Sequence, residues 1–283
     1  MKIVLAGTPE FALATFEMII ANFEVIAIIS QPDRKVGRKQ VLTPSPVSIL
    51  AQKHQIPLYC PEQISALLPV LTQLHFDIFL TMAYGQIIPE SILNLPQKLA
   101  LNVHASLLPQ YRGAAPAQHA LWQGETHTGI TLMEMAKTLD SGPILFQAKV
   151  AITAEDDAGS LLAKLGALSA KQIVTWLKAI EAGTFSRQPQ NEARVSFAPK
   201  LRASDEQLVF ATMVQTNRQI RALSPNPGAY FWNPKVPGQR IKVFQASPVP
   251  VAHAISIPCS DGHLYATSYQ IAGKKRITLE IKK

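Results

Sequence analysis

The feature that most constrains this chain is an alternation. Short apolar runs take turns with stretches whose apolar residues recur at helical spacing. Lys2–Ala6 is the first run, Gly7-Thr8-Pro9-Glu10 punctuates it, and Phe11–Ala21 follows with a helical period. Glu24–Ser30 reads as the next strand and Gln31-Pro32-Asp33 ends it. Ser48–His54 is then a short helix, Pro57–Cys60 a strand, Ile64–Leu74 a helix and Asp77–Met82 a strand. Leu99–His104 reads as another strand, Ala105–Gly113 as a loop, Ala114–Gln123 as a helix and Gly129–Met135 as a strand. Ala158–Glu181 looks like one long helix, with Leu161, Leu162, Leu165, Leu168, Ile173, Leu177 and Ile180 roughly on one face and Gly183 as its stop. Strands separated by helices predict an α/β fold with a parallel sheet covered on both faces. Gly7-Thr8-Pro9 lacks the spaced glycines of a dinucleotide-binding turn, so neither NAD nor FAD is expected.

Beyond Gly183 the pattern changes. Residues 184–204 hold Gln, Pro, Arg and Asn with few apolar runs and read as a linker. Asp205–Leu223 reads as a helix and Pro225-Asn226-Pro227-Gly228 as a turn. Ala229–Trp232, Arg240–Ala246, Ala254–Pro258, His263–Thr267 and Arg276–Ile281 are closely spaced strand candidates, the mark of a small β-barrel. The expected organisation is therefore a first domain over 1–183, a linker over 184–204 and a second domain over 205–283.

Charge divides the chain at nearly the same place. Residues 1–182 carry 13 Lys+Arg against 14 Asp+Glu, a net of −1, while residues 183–283 carry 14 against 5, a net of +9; together they make the +8 of the whole chain. A basic C-terminal third beside a neutral remainder suggests that one domain docks a polyanion and the other acts on it. No apolar run is long enough to cross a membrane. The N-terminus lacks the length and cleavage site of a signal peptide. The two cysteines, Cys60 and Cys259, make neither a metal-ligand spacing nor a disulfide framework, and a cytoplasmic location fits them best.

The densest chemical signal is Asn102-Val103-His104-Ala105-Ser106-Leu107-Leu108-Pro109-Gln110-Tyr111-Arg112-Gly113. In a strand, Asn102 and His104 point to one face, at the carboxyl end where open α/β sheets bind ligands. Leu139-Asp140-Ser141-Gly142-Pro143 supplies a carboxylate beside a turn. An amide, an imidazole and a carboxylate suit acyl transfer to an amine. Asn102 can donate to a developing oxyanion, His104 can share that role or move a proton, and Asp140 can orient the histidine. An α-amino nucleophile titrates at about 7.7–8.0, so no activated serine or cysteine is required. Spacing alone leaves a purely structural His–Asp pair open.

These strings, continued by Arg112-Gly113-Ala114-Ala115-Pro116 and Leu139-Asp140-Ser141-Gly142, closely resemble the methionyl-tRNA formyltransferase family. The likeness extends to Ala6-Gly7-Thr8-Pro9-Glu10-Phe11, Gln31-Pro32-Asp33-Arg34, Pro44-Ser45-Pro46-Val47, Ala83-Tyr84-Gly85-Gln86-Ile87-Ile88-Pro89, Ile152-Thr153-Ala154-Glu155-Asp156 and Arg221-Ala222-Leu223-Ser224-Pro225-Asn226-Pro227. The resemblance implies a Rossmann-type formyltransferase domain and a C-terminal barrel like an OB-fold. It implies 10-formyltetrahydrofolate as co-substrate and methionyl initiator tRNA as partner; no metal is expected, since no histidine or cysteine cluster could hold one, and a cytoplasmic monomer is expected. It makes Asn102, His104 and Asp140 the catalytic trio. Ser106, Leu107, Leu108 and Pro109 would bind the folate, with Tyr84, Gly85 and Ile87 lining its pterin pocket. Arg34, Lys35, Arg38 and Lys39 form a basic loop that in this family enters the tRNA acceptor stem. Arg240, Lys242, Lys274, Lys275 and Arg276 would hold phosphates.

Three positions depart from the family pattern: Ala105 stands where Gly or Pro is usual, Gln110 where the residue is often basic, and the chain ends soon after Gly273-Lys274-Lys275. A slightly shifted loop, one lost anion contact, and reduced tRNA contact or barrel closure are the expected consequences. Two related activities compete, formylation of glycinamide ribonucleotide and of an amino nucleotide-sugar. The basic loop and the +9 region favour tRNA over both. A non-catalytic RNA-binding protein and a folate sensor are the alternatives outside enzymology.

Overall fold

The structure is a computed structural model that describes residues 1–37, 39–234 and 236–279. In chain order the first elements are β1 (Lys2–Gly7), α1 (Leu13–Asn22), β2 (Glu24–Ile29), β3 (Arg34–Val36), β4 (Val41–Thr43), α2 (Pro46–Lys53), β5 (Leu58–Tyr59), α3 (Leu68–Leu74), β6 (Ile78–Met82), α4 (Glu90–Leu93), β7 (Leu99–His104), α5 (Pro116–Gln123), β8 (His127–Glu134), β9 (Ile144–Ala151) and α6 (Ala158–Glu181). They are followed by α7 (Met213–Leu223), β10 (Ala229–Trp232), β11 (Arg240–Ser247), β12 (Ile255–Cys259), β13 (Gly262–Ile271) and β14 (Ile277–Thr278). The chain divides into two compact units. The first holds Met1–Arg112, Gly129–Val150 and Ala163–Phe197; the second holds Gly113–Thr128, Ala151–Leu162 and Ala198–Lys283.

Seven strands form the main sheet, in the order β5-β2-β1-β6-β7-β8-β9. From β5 to β7 all pairings are parallel, as in a Rossmann-like sheet. β8 runs antiparallel to β7, so the sheet is mixed rather than wholly parallel. The central strands are apolar on both faces because crossover helices cover both: Ile3, Val4, Leu5, Ile78, Phe79 and Leu80 are all inaccessible to solvent. Local signals start and stop the helices where capping chemistry predicts. Ser45 accepts from the Ser48 amide at 2.9 Å with Pro46 in the first turn of α2, and Gly124 ends α5 in the left-handed region.

Two parts of this unit escaped periodicity. The β3–β4 hairpin is exposed at every strand position, so it has no apolar face to betray it. β9 is buried at Ile144 and Leu145 and then alternates half-buried with exposed, which reads as polar sequence.

In the second unit β10-β11-β13-β12 form an antiparallel sheet, with β14 paired to β13. Phe231, Ile241, Val243, Ile257, Leu264 and Ala266 make its core, joined by Ile220 and Leu223 of α7. The helix expected over Asp205–Leu223 is shorter than its apolar pattern suggested. Ala203–Glu206 is a 3-10 turn, Leu208 donates to the Tyr230 carbonyl, and α7 starts at Met213. Thr212 and Gln215 explain the late start, since each side chain meets the other's backbone amide in a capping box.

Candidate active site

β7 brings Asn102 and His104 to the carboxyl end of the main sheet. The register places Thr81 of β6 beside Asn102, and Thr131 of β8 opposite His104. These neighbours set the chemistry. The buried Thr81 hydroxyl lies 2.8 Å from Asn102 Oδ1. In this arrangement the Thr81 hydroxyl donates to Oδ1, and Nδ2 is left as the outward donor. Nδ2 meets no acceptor among the described residues.

His104 is buried, with one ring nitrogen hydrogen-bonded and the other facing a carboxylate. Nε2 lies 2.9 Å from the Tyr111 carbonyl, which can only accept, so Nε2 carries a proton. Nδ1 faces Asp140 Oδ2 at 3.6 Å, within ion-pair range. The carboxylate arrives from a turn, with Asp140 at φ +50°, a conformation that costs a residue with a Cβ free energy and persists where neighbours fix it. Gly142 closes that turn against β8, where an added Cβ would collide with the Glu134 carbonyl. The structure therefore brings the expected trio together: Asn102 and His104 on one strand, and Asp140 on the turn that meets them.

The residues expected at the folate differ in how much surface they offer. The Ser106 hydroxyl is buried and donates to the Gln110 carbonyl at 2.6 Å, while its carbonyl accepts from Thr131. Leu108 is buried, and both its backbone groups are bonded, to Thr131 and Gln147. Leu107 and Pro109 are half-buried. Tyr84 is buried between two left-handed residues, Ala83 at φ +50° and Gly85 at φ +91°. Its hydroxyl is buried with no hydrogen-bond partner among the described residues. Burial, and then the neighbouring Cys60, push its phenol up to about 12. Ile87 is 90% exposed.

The basic residues lie on surfaces. Arg34 and Lys35 stand on β3 and Lys39 in the turn beyond it, all exposed; Arg38 lies outside the described residues. In the second unit Arg240 is exposed and stacks its guanidinium 5.1 Å from the Tyr230 ring. Lys242 is half-buried and donates to the Pro227 carbonyl. Lys274 and Lys275 are exposed beyond β13, and Arg276 lies 4.0 Å over the Phe244 ring.

Sequence reasoning missed the residues that hold the trio. Thr81, Thr131 and Gln147 carry no motif, and only strand register reveals them. Gln190 was hidden in the segment that composition marked as a linker. Over residues 187–196 that segment is bonded within the first unit. Gln188 exchanges two backbone hydrogen bonds with Ile144, Arg187 meets Glu134 at 2.6 Å, and Ser196 accepts from the amides of Tyr111 and Arg112.

Residues 1–177 match the formyl transferase family, and residues 200–281 match its C-terminal domain. A methionyl-tRNA formyltransferase of Mycoplasmopsis pulmonis is 45% identical over 281 residues, covering 99% of this chain and 96% of that relative. One from Staphylococcus epidermidis is 42% identical, covering 98% of this chain and 93% of the relative. In fold the chain is similar to an N-formyltransferase of Helicobacter canadensis, solved with folinic acid and dTDP-3-aminofucose (TM-score 0.74, 20% identity, 94% of this chain and 98% of that one). Full-length similarity at this level, joined to both family domains, shows that the chain belongs to the methionyl-tRNA formyltransferase family.

Proposed function

We propose that Asn102, His104 and Asp140 carry out the family's reaction in this chain: the formyl group of 10-formyltetrahydrofolate passes to the free amino group of methionyl initiator tRNA, for translation initiation. The observation that carries the assignment is the Asn102 amide, its oxygen bonded by Thr81 and its donor end left over beside a histidine–aspartate pair. The folate supplies a formyl carbon bonded to a nitrogen that can leave. Asn102 Nδ2 donates to the formyl oxygen as negative charge gathers there, the kind of preorganised contact that dominates acyl transfer. A new carbon–nitrogen bond forms from the methionyl amine, and the old bond to the folate nitrogen breaks. The proton released by the amine is taken up at the His104–Asp140 pair and returned to the leaving nitrogen. With an α-amino group that titrates at about 7.7–8.0, modest proton management near neutral pH is enough.

Two features fit a reduced folate beside this centre. The Tyr84 hydroxyl is an unmatched buried donor, and a phenol pushed up to about 12 keeps its proton at neutral pH. The exposed Ile87, two residues beyond Gly85, offers an apolar face that a flat ring system would cover. Leu107 and Pro109 would touch the same ligand, whereas Ser106 and Leu108 would shape the loop beneath it. Arg34, Lys35, Arg38 and Lys39 would grip the acceptor stem, and Arg240, Lys242, Lys274 and Lys275 would hold phosphates. The chain would act as a monomer in the cytoplasm.

The test is formyl transfer from 10-formyltetrahydrofolate to methionyl initiator tRNA, run beside glycinamide ribonucleotide and an amino nucleotide-sugar. Product on the tRNA alone is expected. Product on a small amine alone would keep the trio and remove the role of the basic surfaces. Binding of tRNA without any product would overturn the catalytic reading.

A further inference from the structure

Asp140 sits in a left-handed conformation on a turn, yet it must present its carboxylate to His104 across a fixed gap. Something outside the turn has to hold it. Gln190 reaches the turn from the segment that follows α6. Its Nε2 donates to two carbonyls, that of Asp140 at 2.8 Å and that of Gly142 at 2.8 Å. Its Oε1 accepts from Arg112, from Nε at 3.0 Å and from Nη2 at 2.8 Å. Both amide hydrogens and both lone pairs are thus used. Reversing the amide would turn all four contacts repulsive, so its orientation is fixed.

The other end of this bridge is equally rigid. Arg112 is 5% exposed and closes the loop that begins at His104. Its backbone amide donates to the Ser196 carbonyl at 2.9 Å, and the neighbouring Tyr111 carbonyl is the one that His104 Nε2 meets. One side chain therefore ties the loop that fixes the histidine to the turn that carries the aspartate.

We infer that Gln190 is a positioning residue for formyl transfer, setting Asp140 against His104 by clamping the Asp140–Gly142 turn to Arg112. This rests on the proposed role of the trio. Gln190 itself touches no reacting atom. It acts by holding a carboxylate within the small tolerance that proton transfer allows, where misplacement of about 1 Å is costly.

The decisive variant is Gln190→Glu. It keeps the shape and the acceptor toward Arg112 but removes both donors, leaving the Asp140 and Gly142 carbonyls unmatched. The expected result is a loss of about tenfold in kcat, with KM for the folate and for methionyl-tRNA unchanged within about twofold. Introduced into Asp140→Asn, the same change should cost nothing further, because there is no longer a carboxylate to position. Gln190→Ala should raise hydrogen exchange across Thr138–Gly142, a readout that stands even if the glutamate variant folds poorly. Three results would overturn the inference. Wild-type kcat in Gln190→Glu, with Asp140→Asn impaired, would remove Gln190 alone. An equal loss from Gln190→Glu in both backgrounds would make its role merely structural. Wild-type kcat in Asp140→Asn would sink the reading of Asp140 and the clamp with it.

Discussion

The proposed transfer centre and the basic surfaces of the same chain are built on opposite terms. At the centre, polar atoms are buried or half-buried and each is held by a specific partner: Thr81 on Asn102, the Tyr111 carbonyl on His104, Gln190 on the Asp140 turn. On the surfaces, Arg34, Lys35, Lys274 and Lys275 stand exposed, and the last 101 residues carry a net +9. The difference suits the tasks proposed for the two regions. Stabilising a charge that exists only in a transition state requires donors aimed before the reaction begins. Attracting a polyanion requires only enough positive charge on long, flexible stems, because counterion release is indifferent to geometry.

The first way to break this contrast is at its sharpest point. Asn102→Ala removes the one aimed donor and should lower kcat by roughly 10²–10³, as for other oxyanion donors. Single-turnover rates would measure it, and near-normal turnover would take Asn102 out of the chemistry. Next in size is its support. Thr81→Val deletes a single buried hydroxyl, worth about 1 kcal/mol or about fivefold in kcat. Thr81→Ser should restore the rate, since it keeps the donor. If valine and serine behave alike, orientation of the amide does not depend on Thr81.

The surfaces should answer differently. Lys274→Ala or Lys275→Ala should leave kcat at saturating tRNA untouched and weaken tRNA binding by a few-fold. Each should also reduce the slope of log affinity against log salt by about 1 if the lysine meets a phosphate. Binding titrations at several salt concentrations would decide this. A slope that does not change would leave those lysines as ordinary solvated charges.

How much of this was legible beforehand also differs between the two regions. The alternating apolar runs exposed the main sheet, because buried parallel strands leave no polar position to blur the signal. The Asn102–His104 pair was readable from its strand spacing together with the family strings, and Asp140 from its turn. Thr81 and Gln190 were not readable. Each acts through a partner distant in sequence, 21 residues away for Asn102 and 50 for Asp140, and a lone threonine or glutamine has no period. The β3–β4 hairpin is legible in the sequence only as a charged loop, since no face of its strands is buried. The reversal at β8 was invisible because direction depends on the connection, and apolar content is the same either way.

The smallest expected effect lies where surface chemistry intrudes on the centre. Glu192 is 72% exposed yet meets Arg112 Nη2 at 2.8 Å, and that hydrogen bond holds its carboxyl below the usual glutamate range. A depressed carboxyl adds stability above its unfolded value of about 4.3 and loses it as pH falls through the folded value. Glu192→Gln should therefore slightly flatten the acid side of the melting-temperature profile and change little at neutral pH, because an exposed pair is screened by water and salt. It should also leave kcat nearly intact, since Gln190 Oε1 still accepts from two Arg112 nitrogens. A loss in kcat as large as that of Gln190→Glu would mean that the exposed ion pair, and not the amide clamp, holds Arg112. The centre would then depend on the same screened charges as the surfaces, and raising the salt concentration should slow the chemical step as well as tRNA binding.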